Sequence, residues 1–178
     1  MKRIVDLGCG AKKRPGAVGV DSNPAANPDV LHDLDTFPYP FDDSSFDEIY
    51  LDNVLEHLSN VIATMEELHR IGAPDALVRI DVPYFRSRWA AVDPTHRHSF
   101  TVDSFAYFDP THSFFKDYRY SKATFRLEKV VFNERFPVRG LRALVARFAN
   151  RKPASYEERL SHLFPLDELT FRLRVVKD

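Results

Sequence analysis

Apolar positions follow two rhythms along the chain. Short runs stop abruptly at Gly or Asp, and longer stretches repeat every three to four residues. Residues 3–7 (R-I-V-D-L) form a short apolar run halted by Gly8 and read as a buried strand. Residues 17–20 (A-V-G-V) repeat the pattern ahead of Asp21. Residues 30–34 make a weaker third strand and residues 46–51 a fourth. From Val54 the spacing becomes helical, with Ser59 and Asn60 as cap candidates for a restart. Ile62, Met65 and Leu68 share a face, and Gly72 and Pro74 end the helix. Ala76, Val78, Ile80 and Val82 alternate in a fifth strand that ends at Pro83. Residues 83–124 show no clear period and are rich in Pro, His, Phe, Tyr and Asp. A loop of that length in a compact domain is functional or hides short helices. Residues 127–133 predict a sixth strand. Leu141, Leu144, Val145 and Phe148 predict an amphipathic helix, and residues 156–164 a short one. Leu169, Phe171, Leu173 and Val175 alternate with Thr170, Arg172 and Arg174 in a last, half-exposed strand.

Short apolar strands separated by helices or loops argue for an open α/β sheet. Ligands of such sheets bind beyond the carboxyl ends of the strands. The first end reads Val5-Asp6-Leu7-Gly8-Cys9-Gly10, where glycines let the backbone turn sharply and approach a ligand. The second ends at Asp21, a carboxylate able to accept both hydroxyls of a ribose. The third ends at Asp33-Leu34, an acceptor beside an apolar contact, which suits an adenine amino group and ring face. The fourth ends at Asp52-Asn53. Four carboxylates at strand ends favour a cationic or hydroxyl-rich ligand over a phosphorylated one.

The string V-D-L-G-C-G, then Gly19-Val20-Asp21, then residues 33–58 (D-L-D-T-F-P-Y-P-F-D-D-S-S-F-D-E-I-Y-L-D-N-V-L-E-H-L) resembles class I S-adenosylmethionine-dependent methyltransferases. It is most similar to the small-molecule branch typified by quinone-biosynthesis enzymes, and residues 68–74 (L-H-R-I-G-A-P) resemble that branch too. The resemblance covers about residues 3–83, and four strand ends matched in order make it specific. It implies a Rossmann-like, mostly parallel seven-stranded sheet in three layers, with an antiparallel last strand. It implies S-adenosyl-L-methionine as cofactor. Asp6, Gly8 and Gly10 would shape the methionine pocket, Asp21 would hold the ribose, Asp33 and Leu34 would meet adenine, and Asp52 and Asn53 would lie beside the sulfonium. The dinucleotide fingerprint is the nearest rival. It asks for a third glycine three residues after Gly10, which this chain lacks, and for an acid later than Asp21.

Three departures matter. Lys12 takes the place of the usual third glycine. Nine residues (8–16) separate the first two strands, fewer than the dozen or so of a helical crossover, so the first helix is shortened or absent. Lys12, Lys13 or Arg14 would then supply positive charge toward the cofactor carboxylate. The chain also opens on the first strand, so cover must come from residues 84–124, from the basic part at 125–178, or from a second copy of the chain.

Composition narrows the class. At 178 residues, with 44% hydrophobic residues, 15 Phe and 7 Tyr, the chain suits one folded domain. Cys9 stands alone, which excludes an intrachain disulfide framework and a Cys-rich zinc site. No run approaches the ~18 apolar residues of a membrane span, and Asp6 interrupts any signal-like stretch, so the expectation is a cytoplasmic enzyme. The net charge of −1 conceals a split. Residues 1–115 hold 10 Lys+Arg and 18 Asp+Glu, and residues 116–178 hold 15 and 8. The helix at 139–152 carries five basic residues and no acid, which suits a solvated face or an anionic surface.

Residues 92–100 (V-D-P-T-H-R-H-S-F) are the most chemical stretch outside the cofactor half. They follow the fifth strand, where the resemblance implies acceptor binding. A general base for an oxygen acceptor would be His96, then His98, then His57. A metal at His96 and His98 has no supporting motif, and none is expected. The function expected is methyl transfer to a small molecule. A macromolecular acceptor and a non-catalytic cofactor-binding module are the competing readings.

Overall fold

The computed structural model describes residues 2–177. Seven strands form one sheet: β1 (Ile4–Leu7), β2 (Val18–Asp21), β3 (Val30–Leu31), β4 (Phe46–Asp52), β5 (Gly72–Pro83), β6 (Thr124–Phe132) and β7 (Glu168–Val176). Their order is β3-β2-β1-β4-β5-β7-β6. Pairings from β3 through β5 are parallel, while β7 runs antiparallel to both β5 and β6. The expected Rossmann-like sheet with an antiparallel last strand is present.

Register divides the sheet into two unlike faces. Val5, Ile49, Val78 and Leu173 lie side by side on one face, and all four are buried. Helix α1 (Val61–Ile71) covers this face with Met65, Leu68 and Ile71. Its His69 ring meets Phe125 edge-on at 5.7 Å. Phe105 packs on Phe171 at 4.6 Å, just ahead of a 3-10 turn at Ala106–Phe108. Two short helices, α2 (Arg88–Val92) and α3 (Ser113–Tyr118), account for the aperiodic middle segment. Helices α4 (Leu141–Arg151) and α5 (Pro153–Arg159) join β6 to β7, and Tyr156 of α5 meets Phe132 at 4.9 Å.

The second face carries Asp6, Tyr50, Arg79 and Arg172 in register. Its contacts come from loops. Arg14 stacks over the Tyr50 ring at 3.7 Å, and Glu134 pairs with Arg172 and, at 3.9 Å, with Arg79. The second helical layer is thus reduced to the segments 8–17 and 133–140. Residues 8–17 cross from β1 to β2 without a helix, as their length requires.

Two of the element boundaries that differ from expectation have a local cause. Residues 54–58 form a turn, and α1 begins only after Asn60, whose side chain accepts the Ala63 amide at 3.0 Å. Strand β3 stops at Leu31 because Asp33 starts a turn, accepting the Asp35 amide at its side chain and the Thr36 amide at its carbonyl. On α4, Leu141, Leu144 and Phe148 are exposed. No helix among the described residues is long and apolar enough to cross a membrane.

Candidate active site

The carboxyl end of β1 is held by its neighbours' backbone. Gly8 and Cys9 donate to the Val20 carbonyl at 2.8 and 3.0 Å. Gly8 has φ +70°, and a Cβ there would strike Val54, with Cγ1 at 2.9 Å. Glycine is required on both counts. The Gly10 amide donates to Asp21 Oδ2 at 2.8 Å, and the Asn23 amide donates to Asp21 Oδ1 at 2.8 Å. These bonds aim the Asp21 carboxylate and leave each oxygen a further lone pair. Asp6 is buried and accepts the Arg14 amide at 2.8 Å; burial raises its pKa against the lowering effect of that bond. Burial also pushes the Cys9 thiol up, with Asp6 and Asp21 adding to it, so it is no nucleophile.

The three expected cations separate. Lys12 is exposed and makes no hydrogen bond among the described residues. Lys13 is spent on Asp29, at 2.8 and 2.7 Å to its two oxygens. Arg14 alone enters the crevice, 3.2 Å from Asp52 Oδ2. Arg135, from the basic part of the chain, meets the same oxygen at 3.5 Å. Asp33 is exposed at the end of β3, but Leu34 is turned into the core and offers a ligand little surface. Across the ladder from Asp52 lies Asp81, fully buried and pushed up to about 7 by burial, with Asp52 adding and the Thr170 hydroxyl bond opposing.

Beyond the ends of β4 and β5 opens a cavity of about 670 Å³, walled by Asn53, Glu56, His57, Trp89, His96 and Phe136 among others. Asn53 has φ +56°, and its amide donates to the Asp81 carbonyl at 2.8 Å, which places it between the crevice and the cavity. His57 and His96 stand edge to face, ring centres 4.6 Å apart. Burial lowers the His57 pKa, and neighbouring His96 lowers it further. Beside them Glu56 is 1% exposed, and burial pushes its carboxyl up to about 7.

His98 does not join this group. Its Nε2 contacts the Leu58 carbonyl at 2.9 Å, and it borders a separate cavity with Val61 and Phe100. A spacing of two puts side chains on one face only where the chain is extended. Here the Arg97 and His98 amides both donate to the Glu56 carbonyl, at 2.8 and 3.3 Å, and two successive amides do not turn to one acceptor in an extended strand. Glu56 is a member of this group that its sequence neighbourhood marks only faintly. Its signal was a carboxylate inside the apolar string Val54-Leu55-Glu56-His57-Leu58, where buried Leu55 and Leu58 draw it inward.

Residues 5–80 match a family described as "Methyltransferase domain". No curated protein matches the sequence. Among solved structures, an S-adenosylmethionine-dependent methyltransferase from Mesorhizobium loti is 18% identical, with TM-score 0.58 over 97% of this chain and 90% of that one. One from Archaeoglobus fulgidus is 16% identical, with TM-score 0.57 over 97% and 86%. The [4+2]-cyclase SpnF is 13% identical, with TM-score 0.60 over 99% and 75%. These likenesses define the fold. The family match across β1–β5 and these folds both point to S-adenosylmethionine-dependent methyl transfer, with S-adenosylmethionine as the cofactor.

Proposed function

We propose that the protein methylates a hydroxyl of a small-molecule acceptor bound in the cavity between α2 and the ends of β4 and β5. The observation that carries this reading is the position of the His57–His96 pair. It lines a cavity of about 670 Å³, a volume typical of small-ligand pockets, and Asn53 on the same wall adjoins Asp52 of the crevice. The cofactor would lie along the strand ends. Asp21 would accept its ribose hydroxyls, Asp33 would face adenine, and Arg14 would meet the methionine carboxylate.

Bound S-adenosylmethionine would supply the methyl group, its S–CH3 electron pair staying on sulfur as the acceptor oxygen forms the O–CH3 bond. The hydroxyl proton leaves to an imidazole of His96 or His57. Alignment of the oxygen with the S–CH3 axis does most of the work, since orientation supplies roughly 7–11 kcal/mol of such barriers. Trp89 and Phe136 offer the apolar part of the acceptor a surface. This favours a small aromatic or aliphatic alcohol over a macromolecule.

Calorimetry with S-adenosylmethionine and its demethylated product tests the first half of this reading. Binding of both, and none of NAD, is the expected result. Transfer of a labelled methyl group to phenols and alcohols, but not to bulk RNA or protein, tests the second half. Transfer confined to macromolecules would overturn the acceptor assignment.

A further inference from the structure

Glu56, His57 and His96 meet at the cavity wall with one ligating atom each, all within 4.8 Å of one another. Glu56 is the anomaly. Its carboxylate is buried, yet neither oxygen has a hydrogen-bond partner. Buried polar groups are nearly always paired, and an unpaired carboxylate is among the costliest exceptions. Its neighbours cannot relieve it by donating from Nδ1, because both Nδ1 atoms are committed elsewhere. His96 Nδ1–H donates to the Ala90 carbonyl at 3.2 Å. His57 Nδ1 meets Thr95 Oγ1 at 2.8 Å, and that hydroxyl gives its own proton to Asp93 Oδ1 at 2.7 Å. Thr95 Oγ1 must therefore accept, which makes His57 the Nδ1–H donor. Each neutral ring is left with its lone pair on Nε2.

Two imidazoles fixed in one tautomer by carbonyl and hydroxyl acceptors, with a carboxylate lacking any donor, are the arrangement of a metal site and its outer support. We propose that Glu56, His57 and His96 bind a divalent first-row transition ion of the Zn2+ type. Mixed nitrogen and oxygen donors disfavour Mg2+ and Ca2+, which take oxygen sets, and three protein ligands leave positions open toward the cavity. Asp93, through Thr95, anchors the His57 ligand from outside.

The site's use deepens the methyl-transfer reading and rests on it. A hydroxyl held on such an ion ionises near neutral pH. The ion would then replace the imidazoles as the group that activates the acceptor oxygen, and the proton would leave to water through the open mouth. The acceptor class narrows accordingly to oxygen ligands of a transition ion, vicinal diols foremost.

The test begins with protein stripped by a chelator, then titrated with Co2+ and with Zn2+ alone. One ion per chain is expected, with visible absorption from bound Co2+. Glu56→Gln and His96→Asn, checked for folding by circular dichroism, should bring binding to background. Thr95→Val, which removes only the outer support of His57, should weaken binding about 10- to 100-fold. Stripped wild-type protein that binds neither ion would overturn the proposal, as would unchanged binding in all three folded variants. A Glu56→Gln protein that is more stable while the wild type takes no ion would instead identify Glu56 as a buried neutral acid, and also overturns it. S-adenosylmethionine titrated into the same wild-type sample reads the methyl-transfer proposal separately, since neither ligand set includes the other's residues.

Discussion

Asp21→Asn separates a ribose contact from a general electrostatic one. In the wild type each carboxylate oxygen already accepts one backbone amide, Gly10 at 2.8 Å and Asn23 at 2.8 Å. Each keeps a lone pair for one ribose hydroxyl. The amide variant changes both shells. Its NH2 replaces one acceptor, so one of the two hydroxyl bonds is lost and the other becomes neutral. A hydrogen bond to a charged group contributes about 1.5–3 kcal/mol, so one lost bond lowers affinity roughly 10- to 150-fold. The same NH2 opposes either the Gly10 or the Asn23 amide, donor against donor. That loosens the glycine loop by about 1 kcal/mol, the low end of the range because Asp21 is only half-buried. Calorimetry with S-adenosylmethionine and with its demethylated product gives the decisive comparison. The two ligands share the ribose, but only the first carries the sulfonium charge. A ribose role predicts the same factor for both. A loss confined to S-adenosylmethionine would refute it, and so would a dissociation constant within about twofold of wild type.

Two further outcomes follow from backbone geometry and charge burial. Gly8→Ala should destabilise the fold by more than Gly10→Ala, as read from urea midpoints: both residues have positive φ, costing about 1–2 kcal/mol for alanine, but only the Gly8 Cβ meets Val54. Asp81 is a buried acid whose carboxyl is raised to about 7, so the unfolded chain ionises it first as pH rises from about 4. Its burial therefore costs stability progressively between about pH 4 and 7, and Asp81→Asn should raise the urea midpoint at pH 8 and leave it nearly unchanged at pH 4.

Legibility in the sequence followed how local the physics was. The ends of β1, β2 and β4 could be read because Gly8, Gly10, Asp21 and Asp52 act through backbone turns and single carboxylates adjacent to apolar runs. The missing first helix followed from counting nine residues between strands. Other features depended on long-range contacts. Arg135 reaches Asp52 from 83 positions away, and His96 meets His57 across 39; no periodicity marks either pair. His98 lies apart from His96 because the Arg97 and His98 amides both turn to the Glu56 carbonyl, which breaks the extended geometry that its spacing assumes. Leu34 was misjudged because the turn at Asp33 sends the next side chain into the core.

Strand order has a consequence for synthesis. Of these seven strands β7 is made after the other six, yet it lies between β5 and β6. Until residues 168–176 leave the ribosome, β5 presents one bare edge and β6 has no sheet to join. The parallel half, β1 through β4, is joined by short connections and can assemble early. The half that carries Asp81 and the cavity wall must wait for pairings of about 90 positions, such as Asp81 with Thr170. Distant pairings of that kind are slow to form, and an exposed strand edge invites association with other chains while it waits. The nascent chain therefore passes through an interval in which its parallel half is shaped and the half that walls the cavity is not, and that interval is when a chaperone would matter most.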